Sequence, residues 1–431
     1  MKTLFPKQQQ AHDFFKTQHL AGKSTLDTSS VGTGKTIVAC HLAKTLNRPV
    51  AVICPKAVIP SWQREMAECG LEPLFVMNYE QLRTGKTQWV TLHGKKTYKW
   101  HLPEDTLVLI DECHKAKGPY TKNAQIVVAL ISAGFKVHMM SATAAEDPTE
   151  MRATGYALGL HGLNKPEANL KSWFGWMISN GCQQNPWGAW EFIRKSKLKE
   201  LNQIMYQSNV YRLTVSDFPD SFRENRVFVE PVEFTNLKKI AKAYEDLGIT
   251  PEIVTQYIEN GTVMDSDHVL VNILRARQLA ESFKVNDLAE MARDLVSEGN
   301  SVVLFVNFRE SAEALAAALD CKMIVGGQSA AERQKAIDDF QADDDVVLVV
   351  NISAGGTGIS LHDINGERQR VSLISPTFNV KDHLQALGRI HRNGAKSDAL
   401  QKILVANGTI EEVVMKAVAE KTQKLNDLWN Q

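Results

Sequence analysis

A chain of 431 residues, 44% hydrophobic and 23% charged, is too long for one ordinary core and has the balance of a globular protein, so two domains are expected. Lys+Arg and Asp+Glu both number 49, which excludes a histone-like or polybasic binder while leaving room for a locally basic groove. The six cysteines (Cys40, Cys54, Cys69, Cys113, Cys182 and Cys321) form no C-x-x-C pair, so neither zinc nor a disulfide framework is indicated, and scattered single cysteines fit a reducing cytosol. The first residues lack an apolar signal core, and no apolar run is long enough to span a bilayer.

The first informative element is the segment Ser29-Ser30-Val31-Gly32-Thr33-Gly34-Lys35-Thr36, with Leu26 before it and Ile37, Val38 and Ala39 after it. It reads as a strand–loop–helix unit that binds phosphate. Gly32 and Gly34 let backbone N–H groups turn inward around phosphate oxygens. Thr33 lies between them, Lys35 can reach the β- and γ-phosphates, and the Thr36 hydroxyl can ligate Mg²⁺. Position 29 is Ser where the strict Walker pattern has Gly.

Val50 to Cys54 is the next strand, and Leu107 to Ile110 reads as a fully buried one. Asp111-Glu112-Cys113-His114 follows the latter, which places Asp111 at a carboxyl end to hold metal and Glu112 beside it to orient and deprotonate water. A further strand, Val137 to Met140, leads into Ser141-Ala142-Thr143, whose short hydroxyls could relay between lobes. This alternation implies a parallel sheet covered by helices. From about 150 to 220 the pattern changes to short helices and loops carrying Trp173, Trp176, Trp187 and Trp190, a local aromatic core in preference to a binding surface.

Residues 235–295 read as helical, with Leu237, Ile240, Ala241 and Tyr244 at helical spacing. A second set of strands follows: Ser301 to Val306, Met323 to Val325, Val346 to Val350, Val371 to Ile374 and Lys402 to Val405. After the third of these come Asn351 to Leu361, with Gly355, Gly356 and Gly358, a segment suited to close approach of a phosphate from nucleotide or nucleic acid. Gln385-Ala386-Leu387-Gly388-Arg389-Ile390-His391-Arg392 sets Arg389 and Arg392 on one helical face. That face is either a solvated basic surface or a pair aimed at one anion. The phosphate loop, which has no arginine of its own, favours the anion.

Together these segments resemble the superfamily 2 helicase-like ATPases, and within them the Swi/Snf-like double-stranded DNA translocases, from about residue 4 to residue 425. Leu4-Phe5-Pro6-Lys7-Gln8 resembles the adenine-recognition segment, with Gln8 as reader. Val52 to Lys56 with Ser61 to Glu65 resembles motif Ia, and Asn78 to Leu82 the Ib region. Asp111 to His114 is similar to a DExH box and Ser141 to Thr143 to motif III. Val303 to Phe308 resembles motif IV, Ala354 to Leu361 motif V and Gly388 to Gly394 motif VI. Gly408 to Glu412 also matches this branch. Motif III reads Ser-Ala-Thr where many remodellers have a Thr-Gly-Thr-like form, and no accessory chromatin-reading domain fits the length.

The resemblance implies an α/β fold of two tandem RecA-like lobes, residues 1–225 and 226–431, with the helical lead-in 235–295 and ATP in the interlobe cleft. It implies Mg²⁺ and ATP as cofactors. Lys35, Asp111, Glu112, Arg389 and Arg392 would be catalytic. Gln8, Gly32, Thr33, Gly34, Lys35, Thr36 and Gly358 would bind nucleotide, with Thr36 and Asp111 at the metal. His114, Ser141, Thr143 and Gln385 would couple the lobes. Pro55, Lys56, Trp62, Asn78, Tyr79, Phe308, Ser353, Gly355 and Gly356 would contact nucleic acid, double-stranded or branched DNA in the first instance. A monomer in a bacterial or virus-infected cytoplasm is expected, with no membrane. The alternatives are an RNA-dependent DExH ATPase and, from another class, a nucleotide-dependent switch or scaffold with little turnover.

Overall fold

The structure, a computed structural model, describes residues 3–94, 97–164, 170–194, 196–218, 221–260, 267–355 and 359–429; side chains are described throughout these except at 260, 267, 354, 355 and 424–429. The chain divides into two compact units, the first made of Met1–Phe218 together with Lys424–Gln431 and the second running from Pro219 to Gln423.

The first unit contains β1 (Thr25–Asp27), β2 (Val50–Ile53), β3 (Phe75–Met77), β4 (Val90–His93), β5 (Thr97–Trp100), β6 (Leu107–Asp111), β7 (Lys136–Met140), β8 (Cys182–Gln184), β9 (Trp190–Phe192) and β10 (Val210–Tyr211). Six of them make one sheet in the order β10-β1-β7-β6-β2-β3. Every pairing in it is parallel. Val50 to Ile53 and Leu107 to Ile110 are buried without alternation, because helices cover both faces of a parallel sheet. Helix Ile59–Glu68 packs Trp62 and Met66 into a core with Val52, Cys54, Leu109 and Met140.

Parallel strands place all their carboxyl ends on one edge. Thr28 after β1, Cys54 after β2, Asn78 after β3, Glu112 after β6 and Ser141 after β7 therefore share that edge. β4 and β5 form a separate antiparallel hairpin, as do β8 and β9. The tryptophan-rich segment is only partly a core. Trp173 and Trp176 are buried, whereas Trp187 at the tip of the β8–β9 hairpin is 78% exposed.

In the second unit, β11 (Asn225–Val232), β12 (Ser301–Val306), β13 (Lys322–Ile324), β14 (Val347–Asn351), β15 (Arg370–Ile374) and β16 (Ala399–Ala406) form another sheet, ordered β11-β16-β15-β12-β14-β13. All its pairings are parallel as well. Four helices, Leu237–Glu245, Pro251–Asn260, Asp267–Ser282 and Val285–Ser297, occupy the predicted helical region. Strand β11 has no counterpart in the sequence reading. It is a largely exposed edge strand containing Pro231, which an edge tolerates and a central strand does not. A buried ion pair, Lys284 with Glu411, ties the start of helix Val285–Ser297 to the start of helix Ile410–Trp429.

Candidate active site

The phosphate loop leaves β1 at Asp27, and helix Lys35–Leu46 begins at its far end. Gly32 and Gly34 have φ of 85° and 91°, in the left-handed region that favours glycine. A Cβ on Gly34 would also stand 2.4 Å from Gln8 Nε2. Gln8 holds the loop directly. Its Nε2 donates to the Thr33 carbonyl at 2.8 Å, and its Oε1 accepts the Phe5 N–H at 2.9 Å. Lys35 Nζ donates to the carbonyls of Ser29 at 2.7 Å and Ser30 at 3.0 Å. Burial pulls the Lys35 ammonium below its ordinary range, opposed by the carboxylates of Asp27, Glu112 and Asp111.

Asp111 ends β6 with both carboxylate oxygens engaged. Oδ1 accepts the Glu112 N–H at 2.9 Å, and Oδ2 accepts the Trp62 indole N–H at 2.9 Å. Burial raises its pKa, reinforced by the neighbouring Glu112 carboxylate and opposed by Trp62 and Lys35. Glu112 takes φ 49° and ψ 52°, a left-handed turn that ends the strand. His114 Nδ1 lies 3.1 Å from Glu112 Oε2 and 3.0 Å from Ser141 Oγ, and Ser141 Oγ accepts the Thr143 N–H at 3.2 Å.

These residues fit Mg²⁺ with a nucleotide. Each Asp111 oxygen keeps a lone pair beyond its one donor. No cluster of three or more His, Cys, Asp or Glu side chains suited to a metal occurs among the described residues. Mg²⁺ needs no such cage, because it takes one or two protein oxygens and fills its octahedron with phosphates and water.

In the second unit the arginines stand differently from the expectation. Helix Val380–Leu387 ends before them, so Arg389 and Arg392 lie in the turn that follows and do not share a helical face. They converge even so. Arg389 Nη1 donates to the Ile359 carbonyl at 3.2 Å, and Arg392 Nη2 donates to the same oxygen at 2.9 Å. Arg389 Nε also donates to the Gln385 carbonyl at 2.8 Å. Burial pulls Arg392 down to about 10. Gly356 and Gly358 lie outside the described residues; Gly355 ends the short helix Ile352–Gly355 after β14.

Residues 284–394 match the family described as the helicase conserved C-terminal domain. A mimivirus protein of Acanthamoeba polyphaga named as a putative ATP-dependent RNA helicase is 29% identical, over 93% of this chain and 79% of its own length. A rice (Oryza sativa subsp. japonica) SNF2 domain-containing protein is 22% identical over 96% of the chain. A bovine (Bos taurus) SWI/SNF-related regulator of chromatin, subfamily A-like protein 1, is 24% identical over 92%. The chain is similar to the Swi/Snf-like branch of the superfamily 2 helicase-like ATPases. It spans 50% of the rice relative and 42% of the bovine one.

Four of the residues expected at nucleic acid are buried. Trp62 is 1% exposed and committed to Asp111, and Tyr79 is fully buried with a hydroxyl that has no partner among the described residues. Asn78 is buried and caps the turn Tyr79–Leu82 through Gln81 N–H, and Pro55 is buried too. Helix packing and capping hold these side chains inside the unit. Lys56 and Ser353 are exposed, and Phe308 is half-buried with the Arg277 guanidinium 5.6 Å from its ring centroid.

Two groups escaped the sequence reading. Arg212 donates to the Thr28 carbonyl at 2.7 Å and Tyr206 Oη lies 2.8 Å from Thr28 Oγ1, so both brace the strand that feeds the phosphate loop. In the second unit Glu281, buried, accepts the backbone N–H groups of Asn307 and Phe308 and thereby fixes the loop after β12. No local motif marks them: each acts across a long stretch of chain.

No helix among the described residues is long and apolar enough to cross a membrane.

Proposed function

We propose that the chain is an ATP-driven motor that moves along duplex or branched DNA. The observation that carries this reading is the meeting of phosphate-loop and acidic elements on one sheet edge, with Lys35 in the field of both Asp111 and Glu112. Similarity to helicase-like and SNF2 proteins supports it, as do the names of the rice and bovine relatives.

In this reading Gln8 meets the adenine, and Gly32, Thr33, Gly34 and Lys35 cradle the phosphates. Thr36 and Asp111 would hold Mg²⁺, which when bound would supply positive charge against the phosphates. Lys35 leaves the carbonyls of Ser29 and Ser30 for the phosphates. Glu112 accepts a proton from the attacking water. Arg389 and Arg392 would supply positive charge against that developing on the γ-phosphate. Lys56, Ser353 and Phe308 serve the nucleic-acid backbone, so sequence preference is weak.

The test is the ATP hydrolysis rate alone and with single-stranded, duplex and forked DNA and with RNA. Duplex or forked DNA is expected to stimulate most. RNA as the strongest activator would favour an RNA-dependent helicase, in line with the name of the mimivirus relative. No turnover under any condition would favour a nucleotide switch.

A further inference from the structure

The helix that carries Trp62 has an evident packing role, since its apolar face fills the core beside β2 and β6. Packing does not explain the direction of the indole N–H. An apolar side chain could pack there with no donor to satisfy, whereas a buried indole N–H without an acceptor is costly. That N–H meets Asp111 Oδ2 at 2.9 Å, while the backbone N–H of Glu112 takes the other oxygen. Two donors from two separate elements fix the rotation of one carboxylate, and so fix where its remaining lone pairs point.

We propose that Trp62 is a positioning residue for the metal-holding carboxylate, its indole N–H setting the orientation in which Asp111 meets Mg²⁺. The inference rests on the reading of Asp111 as a metal holder. Trp62 touches neither nucleotide nor metal; it acts through Asp111. The expected place of Trp62 among the nucleic-acid contacts is thereby exchanged for a place behind the ATP site.

The test uses the full chain with two variants. Trp62→Phe removes the N–H, and replacement of Trp62 by benzothienylalanine removes it at nearly unchanged shape, which guards against loss of folding. Mn²⁺ binding is read by electron paramagnetic resonance in the presence of a non-hydrolysable ATP analogue. Both variants are expected to bind Mn²⁺ about 10–100-fold more weakly, the range seen when a partner that orients a metal ligand is removed. Duplex DNA affinity measured without nucleotide should stay at the wild-type value, and added Mg²⁺ should restore part of the lost turnover. Unchanged Mn²⁺ affinity in a folded variant overturns the inference, as does a loss confined to DNA affinity or to melting temperature. Wild-type protein that binds no Mn²⁺ with the analogue refutes the metal reading itself, a different and separately visible failure.

Discussion

His114 Nδ1 lies 3.0 Å from Ser141 Oγ, which joins the end of the Asp-Glu-Cys-His segment to the start of Ser-Ala-Thr across adjacent strands β6 and β7. The same ring nitrogen faces Glu112 Oε2, so a change at Ser141 reaches the group that would handle the water. Ser141→Ala is expected to lower nucleic-acid-stimulated turnover more than basal turnover, with little change in ATP affinity. Steady-state rates with and without DNA check this; an equal fall in both would make the contact structural.

Lys35→Ala should abolish hydrolysis in a folded protein, because its charge is the one aimed at the β- and γ-phosphates. Glu112→Gln should still bind ATP but turn over ~10²–10⁴-fold more slowly, the usual cost of losing a general base. Fluorescent-nucleotide binding beside a turnover assay separates the two. Loss of binding in Glu112→Gln would make Glu112 a ligand or a structural group.

Arg389→Ala and Arg392→Ala should lower turnover far more than ATP affinity, by up to ~10³–10⁵-fold for the arginine that meets the transition state. Arg389 is buried and donates to two carbonyls, so its loss should also cost the second unit about 1–3 kcal/mol of stability. Denaturant unfolding beside kinetics distinguishes the effects. Wild-type stimulated turnover in both variants would leave the pair as a packed turn without a role at phosphate.

The buried pair Lys284 and Glu411 predicts a non-additive result. Glu411 also accepts the Ala406 N–H, and Lys284 lies 5.0 Å from the Phe234 ring centroid. Glu411→Ala alone leaves a buried ammonium uncompensated and should cost about 3–5 kcal/mol. The double variant Lys284→Met with Glu411→Leu should recover much of that. Equal losses in the single and double variants would show that the charges do not matter there.

Acid should weaken the first unit through His19 and His138. Each stands beside Thr25 Oγ1, at 2.9 and 2.8 Å. Burial lowers His19 to about 4 from an ordinary 6.5 and holds His138 well below its ordinary value too. Both are neutral when folded, while the unfolded chain binds the protons, so the stabilisation is full above about 6.5 and is lost as pH falls toward about 4. Urea unfolding across that window should show the loss, and His19→Gln should flatten it. An unchanged slope in the variant would remove His19 from the account.

Much of the fold was legible because a buried parallel strand needs an unbroken apolar run, as in Leu107 to Ile110 and Ser301 to Val306. Strand β11 was not, since its exposed residues and Pro231 carry no such signal. The phosphate loop and Asp111 were legible because their chemistry demands residues close together in sequence. The contact of Trp62 with Asp111 was not legible, because a motif locates a residue and not the direction of its side chain. Glu281 was invisible for a related reason: it meets Asn307 and Phe308 only once the sheet has formed. The arginine pair was expected on one helical face, but helix Val380–Leu387 ends before it, and the two guanidinium groups meet at the Ile359 carbonyl.

The most direct test of ATP-driven movement on duplex is displacement of a third strand from a DNA triplex, run beside unwinding of a plain long duplex. The account predicts triplex displacement that requires ATP and is lost in Lys35→Ala, with little separation of the duplex strands. Unwinding of the long duplex with no triplex displacement, or displacement that persists without ATP, would contradict it.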